Sequence, residues 1–453
     1  MRGLSCALFL LSSLLANASA REPEQLDDLR PLLLAQRQTN EAVHESPELV
    51  PAPTKVPDEL RKPEKAPWMV RWLVHPRPAG MFLNLPVIAA DPNRGITVGV
   101  LPIWVIPNKV TGRIEQIHAP SFTYNKTFSF IPSYRYYYYP SPVESLVVRG
   151  SASVLAEHEA LLMYQNRRLF DTLYDFYFRG EYSVDGSNRF YGFGPATPKS
   201  GESVYTEDNI GYDVALGHPI GTSDHHWRTR FSDHFMGEKF YAGKIPNLPS
   251  ITDAHPGLVA VHRQEDNEVR AAVEYDTRDS MVTTSKGAYL NAFAGKSLTG
   301  FASAFDYERY GFDGRYIHPW PGDVKTATAA QFKFEQVLGQ APFWLQSHLG
   351  GKYSIRAYGD DRFTDRGVMF AQIEQRIIFY QKKLSGVTTD FEVAPFAGVG
   401  EVFDNPTVAQ ARYARPVVGT AVRAIARPQV VGSLDFGIGQ EGVAIFMDIN
   451  YSF

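Results

Sequence analysis

The stretch GHPIGTSDHHW gathers His218, Ser223, Asp224, His225 and His226 in one short segment, and these residue types suit two chemistries. A serine, a histidine and an aspartate form a nucleophilic triad, while clustered imidazoles and carboxylates ligate a metal. The spacing argues against both. Adjacent histidines on a strand point to opposite faces, so His225 and His226 do not converge on one ion. A nucleophile needs a strained setting and a positioned base, whereas this segment reads as a hairpin turn of mixed polar residues. His234, the other nearby candidate, adds no site. The paired acids Asp360 and Asp361 suit charge balance or cation attraction better than acid–base catalysis. No G-x-S-x-G, H-E-x-x-H or phosphate-loop pattern occurs. The expectation is a protein that is not an enzyme, with no catalytic residue, metal or cofactor.

The informative pattern is one of elements. In LYDFYFRGEY, Tyr174, Phe176, Phe178 and Tyr182 share one face, with Asp175, Arg179 and Glu181 on the other. EVRAAVEYDTR sets Val269, Ala271, Val273 and Tyr275 against Glu268, Arg270, Glu274 and Asp276. ATAAQFKFEQ opposes Ala330, Phe332 and Phe334 to Gln331, Lys333 and Glu335. MFAQIEQRIIF opposes Met369, Ala371, Ile373, Ile377 and Phe379 to Gln372, Glu374 and Arg376. This period of two is that of β-strands with one apolar face. The chain ends on GVAIFMDINYSF, where Val443, Ile445, Met447, Ile449, Tyr451 and Phe453 alternate with the mostly polar Ala444, Phe446, Asp448, Asn450 and Ser452. Tyr451 and Phe453 are read as the signal of a closing strand whose outer face meets lipid. Apolar faces recur with no helix to cover them, and closure of the sheet in a bilayer removes both that problem and the free edge. Short turns (PWPGDV at 319–324, QKKLSG at 381–386, ARPQVVG at 426–432) alternate with long connections at about 185–205, 242–266 and 339–366. The fold class expected is all-β, a transmembrane antiparallel β-barrel of about 16 strands.

The start of the chain sets the compartment. MRGLSCALFLLSSLLANASA has Arg2, an apolar run from about Ala7 to Leu15, and Ala18 and Ala20 in an A-x-A pattern. Residues 1–20 therefore read as a secretory signal peptide. The apolar run is too short to span a bilayer. The single cysteine, Cys6, lies inside the signal segment, so the remainder carries no disulfide. Residues 21–80 are rich in proline and charge and read as an extended periplasmic arm, with 81–453 as the barrel. Aromatic residues are 13% of the chain, an excess that girdles at the two membrane interfaces would explain. The net charge of −4 gives no reason to expect nucleic acid. Outer-membrane lipid, and a periplasmic protein held through residues 21–80, are the partners this organisation suggests for a monomeric barrel in the outer membrane of a Gram-negative bacterium.

Four stretches carry a resemblance. LGGKYSIRAYGDDRFTDR (349–366) resembles the sixth extracellular loop of the BamA/TamA superfamily of outer-membrane barrels, the bacterial surface antigen type. That loop carries a (V/I)-R-G-(F/Y) tip, here Ile355, Arg356, Ala357 and Tyr358. AQIEQRI resembles the family's inward E-x-R pair at Glu374 and Arg376. YDTRDSMVTTSKGAYL (275–290) is similar to its D-T-R-D…G turn, and FYGFGPATP (190–198) to its F-Y-G-x-G segment. The resemblance implies a loop folded into the lumen and latched there by Arg356, since a guanidinium can hold a loop to a polar wall by charged hydrogen bonds. The family's partner is often an Asp in F-x-D-x-G. This chain reads Phe396-Ala397-Gly398-Val399-Gly400, which removes that acid, and Ala357 replaces the family's glycine. Glu374 or Glu392 is expected to pair with Arg356 instead. The family's insertases also carry periplasmic POTRA domains, and residues 21–80 are too short and too proline-rich for a series of them. A role in outer-membrane assembly or translocation is what the resemblance implies. A loop-gated channel, and a structural surface antigen without transport, stay open beside it.

Overall fold

The computed structural model describes residues 74–77 and 80–453, apart from 109–113, 142, 154–156, 222–225, 261, 281–282, 323–324, 385–386, 427–429 and 450. The signal segment and nearly all of the arm lie outside the described residues.

The strands are β1 (Val74–Arg77), β2 (Gly80–Asp91), β3 (Gly95–Pro107), β4 (Ile114–Asn125), β5 (Ser129–Ser141), β6 (Glu144–Ala152) and β7 (Glu157–Asn166). They continue as β8 (Asp175–Phe190), β9 (Ser203–Pro219), β10 (Trp227–Ala242), β11 (Gln264–Asp276), β12 (Gly287–Ser297), β13 (Asp306–Trp320) and β14 (Thr326–Gln340). After the short β15 (Ser347–Leu349) and β16 (Phe363–Asp365) come β17 (Gly367–Leu384), β18 (Val387–Phe403), β19 (Arg415–Ala426), β20 (Val430–Gly439) and β21 (Gly442–Ile449). Eighteen of them close an antiparallel barrel among the described residues. The architecture is the expected one, with two more strands than the period alone marks out. The long connection 341–366 follows the thirteenth barrel strand, with five after it, and β2 is one that the period passes over. The sequence GMFLNLPVIAAD of β2 shows why: it is apolar on both faces and carries Pro86, so no alternation marks it.

The long connections between β8 and β9, β10 and β11, and β14 and β17 share one end of the barrel, here the loop end. The short β13–β14, β17–β18 and β19–β20 connections share the other, the turn end. The outer surface is an exposed apolar belt that includes Val100, Phe122, Phe231, Val273, Ile373, Phe379 and Val422. These are the faces the alternation assigns outward, and their register partners repeat the choice, as in Val273 opposite Ala292. No described helix is long and apolar enough to cross a membrane.

The seam between the first and last barrel strands is unlike the other junctions. β2 meets β21 at a single register pair, Ala90 with Ile445, near the loop end. Toward the turn end its free edge is taken by β1, which pairs Val74–Arg77 with Gly80–Leu83. The arm thus contributes a short strand where the sequence indicates only a linker.

Candidate functional site

Strands β17 to β20 carry a row of inward charges fixed by register. On β17, Gln372, Glu374 and Arg376 recur at every second residue and face the lumen. Glu392 of β18 lies directly across from Arg423 of β19, and Arg423 from Ser433 of β20. Asp435 follows two residues on. The β14–β17 loop descends onto this row. β15 and β16 pair at its base, Ser347 with Asp365 through Leu349 with Phe363, and the segment between them carries the I-R-A-Y tip inward.

At the tip, Arg356 is fully buried. Its Nη1 donates to Asp435 Oδ2 at 2.9 Å, Glu374 Oε2 at 3.2 Å and Ser452 Oγ at 3.2 Å. Its Nη2 donates to Gln372 Oε1 at 3.1 Å and to the same Glu374 oxygen. The guanidinium lies 3.7 Å from the centre of the Phe396 ring, a stacked cation–π arrangement that Arg makes well. Glu374 is the hub. It also accepts from both terminal nitrogens of Arg423 at 2.9 Å and from Arg376 Nε at 2.7 Å. Arg423 Nη1 reaches Glu392 at 2.8 Å. Arg356, Arg376 and Arg423 are thereby set against Glu374, Glu392 and Asp435, three charges of each sign among these side chains. That balance matters because an unpaired buried charge costs several kcal/mol.

Apolar contacts complete the seat. Ile355, Ala357 and Tyr358 pack with Leu349, Phe370, Phe396 and Val417. The Tyr358 hydroxyl accepts from the backbone N–H of Gln440 at 3.1 Å. Glycine is required at 437: a Cβ there would fall 1.6 Å from the Arg356 carbonyl oxygen, so only a bare backbone lets the tip lie on β20. Ala357 is not in the left-handed region, so the family glycine has no conformational necessity at this position. Further up, Arg362 donates to Glu441 at 2.9 Å and lies over the ring of Tyr191. The N–H of Gly194 donates to the Thr364 carbonyl at 2.9 Å, so the F-Y-G-F-G segment lies against this loop. Arg309 donates to the Leu345 carbonyl at 2.6 Å and to Glu335 at 2.7 Å.

Two expectations are corrected. Glu392 does not pair with Arg356, because the strand register delivers it to Arg423 and the Tyr451 hydroxyl, which donates to it at 3.3 Å. The acid missing at Gly398 of β18 is supplied by Asp435 of β20, and no spacing rule could have found it. Tyr451 and Phe453 do not extend the closing strand. β21 ends at Ile449, and both rings turn into the lumen, where Tyr451 lies 3.9 Å from the Arg376 guanidinium. Arg376 Nη2 donates to the main-chain oxygen of Phe453 at 2.9 Å. The register explains the departure: continued from Ala90 and Ile445, residue 453 would face Phe82, which is already paired with His75. Arg376 Nη1 also holds the Thr284 carbonyl at 3.1 Å, which brings the D-T-R-D…G turn under the same cluster.

The histidine-rich stretch does not converge. Ser223, Asp224 and His225 lie outside the described residues. His218 faces outward and packs on Tyr174, and His226 Nδ1 meets the Asp276 carbonyl at 3.0 Å. His234 is better connected than the sequence suggests, lying between Ser232 Oγ at 2.8 Å and the Asp213 carboxylate in the lumen. Ser232 sits in mid-strand with both flanking strands in register, so its backbone N–H is committed to the ladder and offers no oxyanion hole. Among the described residues no group of three or more His, Cys, Asp or Glu is placed to hold a metal ion.

A closed antiparallel barrel, with its longest loop seated in the lumen by a buried arginine, defines the class of protein. The chain belongs to the Omp85 superfamily, whose domain model matches residues 148–437, as the BamA/TamA resemblance of its motifs implies. Among solved structures it is similar to BamA from Haemophilus ducreyi lacking POTRA domains 1-3, at 13% identity and TM-score 0.47, over 82% of this chain and 69% of that one. It is also similar to CdiB from Acinetobacter baumannii (12%, 0.42, 82% and 59%) and CdiB from Escherichia coli (11%, 0.42, 80% and 60%). The chain thus spans less than two thirds of either CdiB chain. A search of curated proteins found no match.

Proposed function

We propose that this chain is an integral outer-membrane protein that works in membrane assembly or translocation, through opening of the seam between β2 and β21. The observation that carries this reading is the single β2–β21 register pair, Ala90 with Ile445, against eight between β20 and β21. In hydrocarbon every ladder hydrogen bond matters, so the junction with the fewest is the place where the wall parts at least cost. The seated loop supports the reading from the other side, since it braces β17 to β20 while the seam moves. Residues 21–80 would supply the contact with a periplasmic partner.

The test is a reversible lock. Ile88 and Met447 are the next outward-facing positions in the register, so Ile88→Cys with Met447→Cys should form a disulfide across the seam. Oxidation is expected to abolish support of outer-membrane protein levels in cells depleted of the wild-type chain, and reductant to restore it. The control pair Ile438→Cys and Val443→Cys, already in register within the β20–β21 ladder, should be indifferent to oxidation. Equal function of the oxidised and reduced seam would reject the reading. A channel reading draws on the open part of the lumen beside the seam. It predicts planar-bilayer conductance that rises when 350–362 is deleted, and silence of both forms would remove it.

A further inference from the structure

The half of the lumen next to the seam holds a cavity of about 450 Å³, within the size range of small-ligand pockets. Its two walls differ in chemistry. Nearest the seam the lining is largely apolar, with Leu85 and Val87 of β2, Leu101 of β3 and Ile131 of β5, beside Asp91 of β2 and Asp448 of β21. The far wall is charged, and there the pairing is nearly complete. Arg94 takes Glu157 and Asp185, Arg149 takes Glu159, and Arg179 takes Glu181. Asp91 accepts from the N–H groups of Asn93 and Arg94, Glu207 from Asn188, and Asp448 from Tyr353.

Arg135 is the exception. It makes no hydrogen bond or ion pair among the described residues, and its Nε is buried without a partner. It also lies directly across from Arg149 in the β5–β6 register. Like charges placed opposite one another destabilise a sheet unless something neutralises them. The lining as a whole holds seven acids to four arginines, so the unmet demand is local: the group that Arg135 lacks is an anion. The seam supplies a route: on the β21 side, β2 is covered by β1 only as far as Leu83 and meets β21 only at Ala90. Between those points lie Leu85, Val87 and Ala89, three of the four β2 residues that line the cavity.

We propose that this cavity binds an anionic membrane amphiphile that enters between β2 and β21. Its acyl chain lies along Leu85, Val87, Leu101 and Ile131, and its carboxylate or phosphate meets Arg135 and Arg149. The site requires the seam window but not an assembly role, so it stands if the barrel inserts nothing.

The test uses the purified full chain in zwitterionic detergent with cis-parinaric acid, a fluorescent acyl carboxylate. Saturable one-to-one binding is expected, displaced by palmitate or by phosphatidylglycerol. Displacement by palmitate alone assigns a fatty acid, and displacement by phosphatidylglycerol assigns a phospholipid; either supports the site. Hexadecanol, which lacks the charge, should compete about tenfold less well, the equivalent of one charge-assisted hydrogen bond. Arg135→Gln should weaken parinarate about tenfold, and Arg135→Lys should stay within about threefold of wild type. Heat-modifiability on gels verifies that each variant is a folded barrel. No binding beyond partition into empty micelles, hexadecanol equal to palmitate, or Arg135→Gln equal to wild type would each overturn the proposal.

Discussion

The two halves of the inner wall solve the same packing problem with opposite chemistry. From β2 to β5, toward the turn end, the lumen side is apolar. Met81, Leu101, Ile103, Val105, Ile114, Ile117 and Ala119 are buried together there, so these strands are apolar on both faces. From β8 to β20 the lumen side is largely charged below an apolar cluster at the loop end (Tyr205, Phe240, Tyr307 and Trp344 among it), and many of its charges pair with one another or with the seated loop. An apolar inner wall is held by non-directional burial, which tolerates shifts in register and position. A balanced ionic cluster is directional and fails when one member is lost. By that physics the barrel is stiffer where the loop is braced than at the apolar wall beside the seam.

Mutations can break that contrast. Glu374→Ala strips three arginines of their shared acceptor. It should be the most damaging single change, about 3–5 kcal/mol in the unfolding of the barrel, the range for removing one member of a buried pair. Urea unfolding in detergent or lipid measures it, and a loss below about 1 kcal/mol would mean that water reaches the cluster. Arg356→Ala should cost less, about 1.5–3 kcal/mol, since Glu374 keeps Arg423 and Arg376, and Asp435 keeps Ser433 and Ser452. It should also free the loop tip, read as faster proteolysis within 350–362 and altered heat-modifiability. Unchanged folding yield and heat-modifiability would show that the arginine does not latch the loop. In the other half, Arg94→Ala breaks two partly exposed ion pairs, to Glu157 and Asp185, and should cost about 1 kcal/mol. If Arg94→Ala proved as damaging as Arg356→Ala, the two halves would not differ in the way their chemistry implies.

Much of the wall from β8 onward is legible in the amino-acid sequence alone. The alternation around Arg179, Glu268, Glu335 and Glu374 assigns each to the lumen, and each is buried there. Period two needs only local geometry, so it survives in a single sequence. The pairing of Arg356 with Glu374 is likewise open to expectation. The membership of Asp435, Arg423 and Phe396 in the site is not, because sequence spacing cannot say which strands a descending loop will meet.

By itself, the sequence determined the class: strands with one apolar face, closed into a barrel, and an arginine-tipped loop long enough to fold back into it. These follow from local periodicity and from the need to satisfy every backbone group in lipid. Tertiary structure alone decided the rest. Closure sets which residues stand at one depth on different strands, and so gave Arg356 to Asp435 and Glu392 to Arg423. The edge of β2 could serve only one neighbour at the turn end. Because β1 holds it, Tyr451 and Phe453 turn inward onto Arg376, and the seam keeps a single pair of residues where a full ladder would otherwise run.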